Sequence, residues 1–408
     1  MSETQWKVAA LFAGIGGVEL GLERALGGDL RTLAFCEAWE PAQAVLQARF
    51  PGVPVEPDVR TMDRLPAGTT LVTAGFPCTD LSQAGRTVGI EGENSGLVVN
   101  VFRLLEDCRH RTGTLPTLLI ENVPNMLALD RGRAMAFLIE EIERLGYSWA
   151  YRVVDSRFTG VPQRRRRVIL VASVDFDPRR VLFADDAGDR SEGFREDMFG
   201  FYWTEGRGGL GWAQDAVPTL KGGSTIGIPS PPAVWVPGAA LGRRLIKPSI
   251  EDAEAMQGFD RGWTDTDSTS PRQKGTRWKM VGNAVTVGVS RWVGSRLAQP
   301  SDPVSEFVPW EPGRGSWPKA AAGAPGRLEV PTGISEYPEH GEYHHLSTMV
   351  DAGESDVLTL RATRGFWNRL QQGNLGRHPG FRDDIRQHID ALEYEQERTV
   401  PLFASTLR

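Results

Sequence analysis

Two reactive side chains stand at equivalent places in the sequence, each shortly after an apolar run. Cys78 follows the run 71–74 through a Gly-Phe-Pro turn, and Glu121 follows the run 118–120. Apolar runs of this length, bounded by turn residues, indicate buried strands. Because ligands of open α/β sheets bind at the carboxyl ends of the strands, we expect the two side chains to lie close together. A cysteine beside a carboxyl group predicts a covalent nucleophile with an acid partner.

The three cysteines of the chain predict a reduced protein with one exposed thiol. Cys36 and Cys108 lie in apolar stretches, which indicates inert thiols in the core. Cys78 differs because a proline and two neighbouring glycines indicate a loop. The spacing fits neither a disulfide framework nor a zinc site, so we expect a reducing, cytoplasmic location. With no secretory signal and no apolar run long enough to cross a bilayer, no membrane association is expected.

Strand-like and helix-like patterns alternate over the first 172 residues. Strands are predicted over 8–12, 33–36, 71–74, 118–120 and 168–172, and helices over 17–26, 41–50, 97–110 and 133–145. This alternation predicts an α/β fold with a mostly parallel sheet and helices on both faces.

The composition changes at about residue 175 and again at about residue 299. Glycine, proline, tryptophan and acidic residues then dominate up to residue 242, which predicts a small irregular domain. Helices are predicted again over 249–257, with Ser249 as the N-cap, and over 285–297. The predicted units are a sheet domain, a small irregular domain, a return segment that completes the sheet domain, a Pro/Gly/Ala-rich linker and a C-terminal appendage, over 1–174, 175–243, 244–298, 299–331 and 332–408 respectively.

A glycine-containing loop follows the first predicted strand. Gly14 and Gly16 would let the backbone approach a ligand closely and open a helix whose N-terminus favours polar groups. A dehydrogenase fingerprint would need a third glycine where Glu19 stands, which argues against a nicotinamide cofactor. Glu37 follows the second strand, the usual place for a carboxylate that bonds ribose hydroxyls, and Asp58 follows the next connection.

These features, together with others further along the chain, resemble the DNA (cytosine-5)-methyltransferases of bacteria and phages. The resemblance is ordered and covers most of residues 7–297. Its motifs are Phe12-x-Gly14-x-Gly16, Glu37, Asp58, Gly75-Phe76-Pro77-Cys78, Ser95-Gly96-Leu97, Glu121-Asn122-Val123, Gly160-Val161-Pro162-Gln163-x-Arg165-x-Arg167, Arg244 to Gln257-Gly258-Phe259, and Gly282-Asn283-Ala284-Val285.

The resemblance implies a Rossmann-like fold that binds S-adenosylmethionine, with S-adenosylhomocysteine as product and without a metal. The cofactor contacts that it implies are Phe12, Gly14, Gly16, Glu37, Asp58, Pro77, Leu97, Asn283 and Ala284. The family often has a bulky apolar residue directly after the ribose-binding acid. Here Ala38 stands in that place and Trp39 follows it.

The resemblance also implies the catalytic residues Cys78, Glu121, Arg165 and Arg167. Cytosine C5 is a poor nucleophile until a thiolate adds at C6, and that addition requires relief of negative charge at N3. Cys78 is expected to supply the thiolate, and Glu121 the acid near N3 in a partly desolvated pocket. Arg165 is expected to bond the O2 side of the base or to orient Glu121.

Double-stranded DNA is the implied partner, with the target cytosine flipped out of the stack. Substrate contacts are predicted at Pro77, Asn122 and Gln163, and in the small domain at Arg207 and Lys221. Arginine and lysine can read guanine in the major groove. A monomer is expected, and a cognate restriction endonuclease is a further implied partner. The glycine-containing loop 79–94 could close over the flipped base or could be an ordinary connection.

The charge of the chain is compatible with this partner although its net value is −6. Residues 301–408 contribute −5, which leaves residues 1–300 almost neutral at −1. Basic residues cluster there over 164–167, 243–247 and 272–279. Local basic patches, rather than total charge, neutralise phosphates.

Three other functions remain as alternatives. A cysteine hydrolase would need a histidine base, but His110, in a helix-like stretch, is the sole histidine of the first 300 residues. A transfer-RNA cytosine-5 methyltransferase would share the fold and the motifs. A catalytically silent DNA-binding regulator on this fold should have lost Cys78, Glu121 or Arg165, and the chain retains all three.

Overall fold

The computed structural model describes residues 6–77, 96–190, 193–205, 209–223, 231–266, 274–313 and 315–399. Cys78, Ser95, Arg207 and the loop 79–94 lie outside the described residues.

The strands are numbered in chain order. They are β1 (Trp6–Leu11), β2 (Leu30–Cys36), β3 (Val55–Glu56), β4 (Leu71–Ala74), β5 (Thr117–Asn122), β6 (Ser148–Asp155), β7 (Gln163–Arg164), β8 (Arg166–Ser173), β9 (Phe199–Phe201), β10 (Ala213–Gln214), β11 (Val217–Pro218), β12 (Ala233–Trp235), β13 (Leu245–Lys247), β14 (Phe307–Pro309), β15 (Ala320–Ala324), β16 (Arg327–Pro331) and β17 (Asp356–Val357).

The α-helices are numbered in the same way. They are α1 (Gly17–Leu26), α2 (Glu40–Arg49), α3 (Leu97–Thr112), α4 (Arg133–Arg144), α5 (Arg179–Leu182), α6 (Ile250–Met256), α7 (Lys274–Asn283), α8 (Val287–Ala298), α9 (Leu346–Met349), α10 (Leu360–Gln371) and α11 (Phe381–Thr399). The predicted helix 17–26 matches α1 at both ends, and the predicted strand 71–74 matches β4.

In the described residues, ten strands form one mixed sheet in the order β14-β16-β15-β6-β8-β5-β4-β1-β2-β3. The predicted α/β fold is confirmed. The sheet is parallel from β3 to β5, whereas β5, β8, β6, β15, β16 and β14 pair antiparallel to one another. The expectation of a mostly parallel sheet is therefore correct for one half. Strand β6 was not among the predicted strands, and the antiparallel half of the sheet that it starts was not predicted either.

The predicted linker 299–331 is wrong, because its strands extend the main sheet. β15 pairs with β6 and places Ala321 opposite Tyr151. A Cβ on Gly323 would come within 2.7 Å of the indole of Trp149, so the small residues of this strand fit beneath a large aromatic surface. Small residues selected for close packing give the same composition as a flexible connection, which explains the wrong prediction.

A second sheet contains β10, β9, β12, β13 and β17 in that order. β17 and the helices α10 and α11 come from the region predicted to be a separate appendage, so that prediction is wrong as well. The helices cover this sheet through an aromatic cluster of Phe201, Trp212, Trp235, Phe366 and Phe381. Burial of such rings supplies most of the energy that joins two distant parts of a chain. We call this unit, residues 193–247 with 356–399, the second domain.

The return segment packs against the first helix of the main sheet. Ser249 caps α6 as predicted, with its hydroxyl accepting a hydrogen bond from Asp252 N and the Asp252 carboxylate accepting one from Ser249 N. α8 then approaches α1 so closely that a Cβ on Gly21 would come within 2.4 Å of Val287 O. This contact brings the segment before α8 to the carboxyl ends of the parallel strands.

Candidate active site

A cleft of about 860 Å³ opens at the carboxyl ends of β1, β2, β4 and β5. Most of the residues predicted to form a site share its walls. These are Phe12, Gly14, Glu37, Asp58, Pro77, Leu97, Glu121, Asn122, Arg165, Arg167 and Asn283. The parallel strands meet at this edge, so side chains that are far apart in the sequence face one space.

The loop after β1 is built from residues with left-handed backbone. Phe12, Gly14 and Gly16 have φ values of 56°, 57° and 78°. Gly14 lines the cleft and donates from its N–H to Glu37 Oε2 at 2.8 Å. Gly16 was predicted to contact the cofactor, but a Cβ there would come within 2.4 Å of the Phe50 ring of the β2–β3 connection. Its glycine is required by packing rather than by a ligand.

Two carboxylates line one end of the cleft, as predicted. The Glu37 carboxylate accepts from the N–H groups of Gly14 and Trp39, both at 2.8 Å, and burial raises its pKa. Asp58 accepts hydrogen bonds from the Arg60 guanidinium, which hold the pKa of Asp58 below its usual value. Ionised carboxylates accept hydrogen bonds from hydroxyl groups, which is what a bound ribose presents.

An aromatic side chain stands beside these carboxylates. Both Ala38 and Trp39 line the cleft. The ammonium of Lys279 lies 4.6 Å from the centroid of the Trp39 ring, a cation–π contact. Trp39 therefore offers a flat aromatic surface beside the two carboxylates. No sequence signal links it to Lys279, which lies on the distant helix α7.

Asn122 holds the turn that leads toward Cys78. Its Nδ2 donates to Phe76 O and its Oδ1 accepts from Val123 N, each at 2.9 Å. The side chain is buried, so its amide is used within the protein. We therefore correct the predicted substrate contact: Asn122 positions the loop 75–77 at the rim of the cleft. Residue 77 is the last described residue before Cys78.

Glu121 is paired with Arg167 inside the cleft. The Arg167 Nε lies 2.6 Å from Glu121 Oε1, and both side chains are largely buried, with 11% and 13% exposure. Strand register explains the pairing. Glu121 stands opposite Ile169 on antiparallel β8, which makes Arg167 its diagonal neighbour on the same face. Arg165 is four residues from Ile169, or roughly 13 Å along an extended chain.

The structure gives the contact with Glu121 to Arg167 and not to Arg165, while the other predicted role of Arg165, a bond to the O2 side of the base, stays a prediction. Arg165 is fully buried and donates to the carbonyl oxygens of Leu220, Gly282 and Ala284. Burial lowers the pKa of Arg165 well below its usual value, and the nearby Arg167 is a smaller cause in the same direction. A buried guanidinium that bonds only carbonyl groups is unusual, because a buried charge is commonly paired with an opposite charge.

Two further predicted contacts are also corrected. Gln163 has no exposed surface, and its amide bonds Met256 O, Gln257 Oε1 and Leu220 N. Its amide is therefore used within the protein in this structure. Ala284 is buried and does not line the cleft, while its neighbour Asn283 does. The sequence motifs are correct in position, but a motif does not tell which of its members face inward.

Cys36 is a thiol on the cleft wall. Burial, followed by the neighbouring carboxylates, raises the pKa of Cys36 to about 12. A thiol with so high a pKa supplies very little thiolate at neutral pH, so Cys36 is unsuited to be a nucleophile. The expectation that Cys36 and Cys108 are buried core thiols is confirmed.

On the side of the second domain, Lys221 faces the loop 202–205. Its ammonium lies 2.9 Å from Glu205 Oε1 and 3.9 Å from the centroid of the Tyr202 ring. The side chain remains 45% exposed, so it is accessible to a partner. Arg207, predicted beside it, lies outside the described residues.

Neither a metal-binding cluster nor a membrane-spanning helix is found among the described residues. In the part of the chain that the structure describes, no group of three His, Cys, Asp or Glu side chains could hold a metal ion. His345 instead bonds the buried Asp215 at 2.6 Å. None of the described helices is both long enough and apolar enough to span a bilayer.

Residues 6–179 match the family of C-5 cytosine-specific DNA methylases. The chain is 45% identical to the Type II methyltransferase M2.BsuMI of Bacillus subtilis (strain 168) over 89% of its own length and 92% of that protein. It is 26% identical to the Type II methyltransferase M.MspI of Moraxella sp over 76% of its length and 74% of that protein.

Solved structures share the fold at low sequence identity. A Dnmt2 methyltransferase of S. pombe aligns with a TM-score of 0.53 at 15% identity, covering 72% of this chain and 98% of that one. The Entamoeba histolytica methyltransferase EhMeth aligns with a TM-score of 0.51 at 14% identity, with the same coverage of both chains. At this identity the likeness concerns the fold alone.

Proposed function

Because this chain belongs to the C-5 cytosine-specific DNA methylases, we propose that Cys78, Glu121 and Arg167 carry its methyl transfer to cytosine C5. The protein is a DNA cytosine-5 methyltransferase that uses S-adenosylmethionine. The observation that supports the residue assignment is the Glu121–Arg167 pair, which faces the cleft to which the loop before Cys78 leads.

The residues of the cleft fit S-adenosylmethionine. Bound there, this cofactor supplies an electrophilic methyl group on a sulfonium. We assign Glu37 to the ribose hydroxyls and Trp39 to the adenine ring, because one offers carboxylate acceptors and the other a flat apolar surface. Phe12, Gly14 and Leu97 complete the wall. The donor is already electrophilic, so the proposed chemistry needs no metal, and S-adenosylhomocysteine is the proposed product.

Activation of the base begins with Cys78. Its thiolate forms a bond to C6, and the electron pair of the C5–C6 double bond is delocalised over C5 and N3. Glu121 delivers a proton to N3, which neutralises that charge. C5 would then form its bond to the methyl carbon as the bond from that carbon to the sulfonium breaks and leaves its electron pair on sulfur, while N3 returns its proton to Glu121. A solvent base removes the C5 proton, and the electron pair of that C–H bond restores the double bond and expels the thiolate.

Arg167 prepares Glu121 for this task. Its guanidinium fixes one oxygen of the carboxyl group at 2.6 Å, which leaves the other oxygen to face the base. The contact is an ion pair between opposite charges. The partly buried setting strengthens it because water does not screen it fully.

The second domain is the proposed target-recognition domain. We infer that residues 193–247 and 356–399 together read the DNA site, because their aromatic cluster makes them one folded unit beside the cleft. Lys221 is accessible on the cleft side of that unit. Reaching C5 in a duplex requires the cytosine to leave the stack, at a cost of a few kcal/mol.

The wider setting is proposed on chemical and comparative grounds. The Type II methyltransferase relatives support a cognate restriction endonuclease that cuts the same site. A DNA substrate supports a cytoplasmic location, and we propose a monomer. The comparisons favour DNA over the transfer-RNA alternative, since the matching family is that of the C-5 cytosine-specific DNA methylases.

The first test of the covalent step uses Cys78→Ser. We expect no measurable methyl transfer from labelled cofactor to duplex DNA, with S-adenosylhomocysteine affinity within twofold of wild type by calorimetry. Transfer at the wild-type rate would remove Cys78 from the mechanism. Cys108→Ser is the matched control, because this thiol is buried outside the cleft.

The second test traps the intermediate on a chosen site. Base-resolution methylation mapping of DNA treated with the purified protein identifies the site first. A duplex with 5-fluorocytosine at that position should then form a covalent complex, because fluorine does not leave C5 as a proton does. A complex that survives denaturing electrophoresis supports the mechanism, and a mapped site without trapping contradicts the covalent step.

A further inference from the structure

Arg165 joins three segments that come from different parts of the chain. It lies between β7 and β8, and its guanidinium donates to Leu220 O at 2.9 Å, Gly282 O at 3.2 Å and Ala284 O at 2.7 Å. Leu220 belongs to the loop 219–223 after β11, which also carries Lys221. Gly282 and Ala284 flank Asn283, which lines the cleft. One side chain thus holds the loop 219–223, on the DNA side, to the segment 282–284 at the end of α7, on the cofactor side.

The loop 219–223 and the segment 282–284 also touch each other directly. A Cβ on Gly282 would come within 2.3 Å of Gly222 N, and a Cβ on Gly222 would come within 2.8 Å of Asn283 Oδ1. The contact at Gly282 is with backbone and excludes any side chain there, whereas a Cβ on Gly222 would displace the end of the Asn283 side chain. A shift of the loop 219–223 therefore displaces the segment that carries Asn283.

Buried side-chain amides connect the same two segments, 219–223 and 282–284, by further hydrogen bonds. Gln163 accepts from Leu220 N and donates to Gln257 Oε1, while Gln257 donates to Val281 O and Ala284 O. Thr286 donates to Gln257 Oε1 at 2.7 Å. All of these side chains are buried, so their geometry is strongly determined. Neither segment can therefore shift by itself without breaking hydrogen bonds to these buried side chains.

We propose that Arg165 is a positioning residue that couples binding of the DNA site to binding of the cofactor. The coupling rests on the proposed function, because it links the loop with Lys221 to the segment with Asn283. When DNA orders the loop 219–223, Arg165 also orders the segment 282–284. When the cofactor orders the segment 282–284, Arg165 also orders the loop 219–223. By thermodynamic linkage, each ligand then raises the affinity for the other by the same factor.

The test measures S-adenosylhomocysteine affinity with and without the duplex that carries the mapped site. For the wild-type full chain we expect the duplex to raise this affinity at least about fivefold, the lower end of typical couplings. In Arg165→Lys the factor should fall to within twofold of one, since a single ammonium does not span three carbonyl groups. Affinity for each ligand alone should stay within about threefold. Arg166→Lys is the control, because Arg166 points to Glu336 on the surface.

A second pair of variants keeps the inference testable if Arg165→Lys does not fold. Gly282→Ala leaves Arg165 in place but forces the loop 219–223 away, because its Cβ would lie 2.3 Å from the backbone of Gly222, and it should abolish the coupling too. Gly223→Ala is the control, because a Cβ there has no atom within 4 Å, and it should keep the wild-type factor. Wild-type coupling in Gly282→Ala, or no coupling in the wild type, overturns the inference. Failure of the proposed function would instead appear as absent cytosine methylation in the wild type.

Discussion

The cleft and the second domain are built in opposite ways. Most of the cleft wall comes from the ends of strands and from the loops that follow them, with the end of α7 completing it, and the motif order along the chain is the order of successive elements. The second domain instead joins residues 193–247 to residues 356–399 through an aromatic cluster. Its strands are two or three residues long and carry no motif of their own.

This difference shows where function can be read locally. A parallel sheet brings its strand ends together by topology alone, so a reactive residue after a strand has a defined destination. A domain held by scattered rings has no such rule, because its contacts depend on which distant segment covers which face. Four experiments test whether the two regions are as separate as this comparison implies.

Glu121→Gln should give the largest effect and confine it to the cleft. Loss of the acid at N3 should lower kcat by about 10²–10⁴, the range for general acid–base catalysis. Steady-state kinetics on the mapped duplex would show this, with the KM for S-adenosylmethionine within twofold of wild type. Glu140→Gln is the control on an exposed face of α4. An unchanged kcat would remove Glu121 from the reaction.

Phe381→Ala should damage the second domain and leave the cleft intact. The ring is fully buried against Phe201, Trp212 and Trp235, so its removal should destabilise that unit by about 3–5 kcal/mol. We expect weaker duplex binding with S-adenosylhomocysteine affinity unchanged, measured by fluorescence anisotropy and calorimetry. Tyr394→Ala, at the exposed end of the same helix, should change neither. An equal loss of both affinities would contradict the separation of the two regions.

Glu19→Gln probes the core beneath the cleft through pH. Glu19 is buried on α1, accepts a hydrogen bond from the Thr73 hydroxyl at 2.6 Å, and burial raises its pKa from 4.5 to about 7. The folded state then binds the proton more tightly, so stability is lost as pH rises from 4.5 through 7. Glutamine avoids that loss and should stabilise the protein by ~3 kcal/mol at pH 8.

The same substitution should change little at pH 4.5, because the wild-type carboxyl group is then protonated in the fold. Urea unfolding at the two pH values measures the difference. Glu23→Gln, exposed on the same helix, serves as the control. Equal stabilisation at both pH values would show that ionisation of Glu19 is not the cause.

Ser249→Ala should give the smallest effect, at the junction between the two regions. It removes one half of the capping box with Asp252, which should cost about 1 kcal/mol. Chemical denaturation would measure the loss, and kcat should stay within twofold of wild type. A large fall in kcat would mean that α6 transmits changes to the cleft, which would contradict the separation of the cleft from the second domain.

Much of the site could be predicted from single positions. Glu37, Asp58, Glu121 and Asn283 all line the cleft. Glu37 and Glu121 are expected there because each follows a predicted apolar strand, whereas Asn283 is implied by the family resemblance. Orientation within a motif could not be predicted in the same way. Arg165 and Arg167 share one motif, yet register with β5 gives only Arg167 to Glu121. The sequence also contains no local sign that Ala320–Ala324 is a strand, since its small residues are selected by the aromatic surface of β6.

The sequence by itself determined the α/β order of the catalytic half, the strand ends that carry chemistry and the family to which the chain belongs. These depend on local periodicity and on short motifs, whose physical meaning is the same in any chain of this type. Only the tertiary structure decided that the C-terminal region completes the second domain, that the supposed linker extends the sheet, and that Arg165 holds two loops together. Those outcomes depend on contacts between residues far apart in the chain, where packing and register, rather than residue type, select the partner.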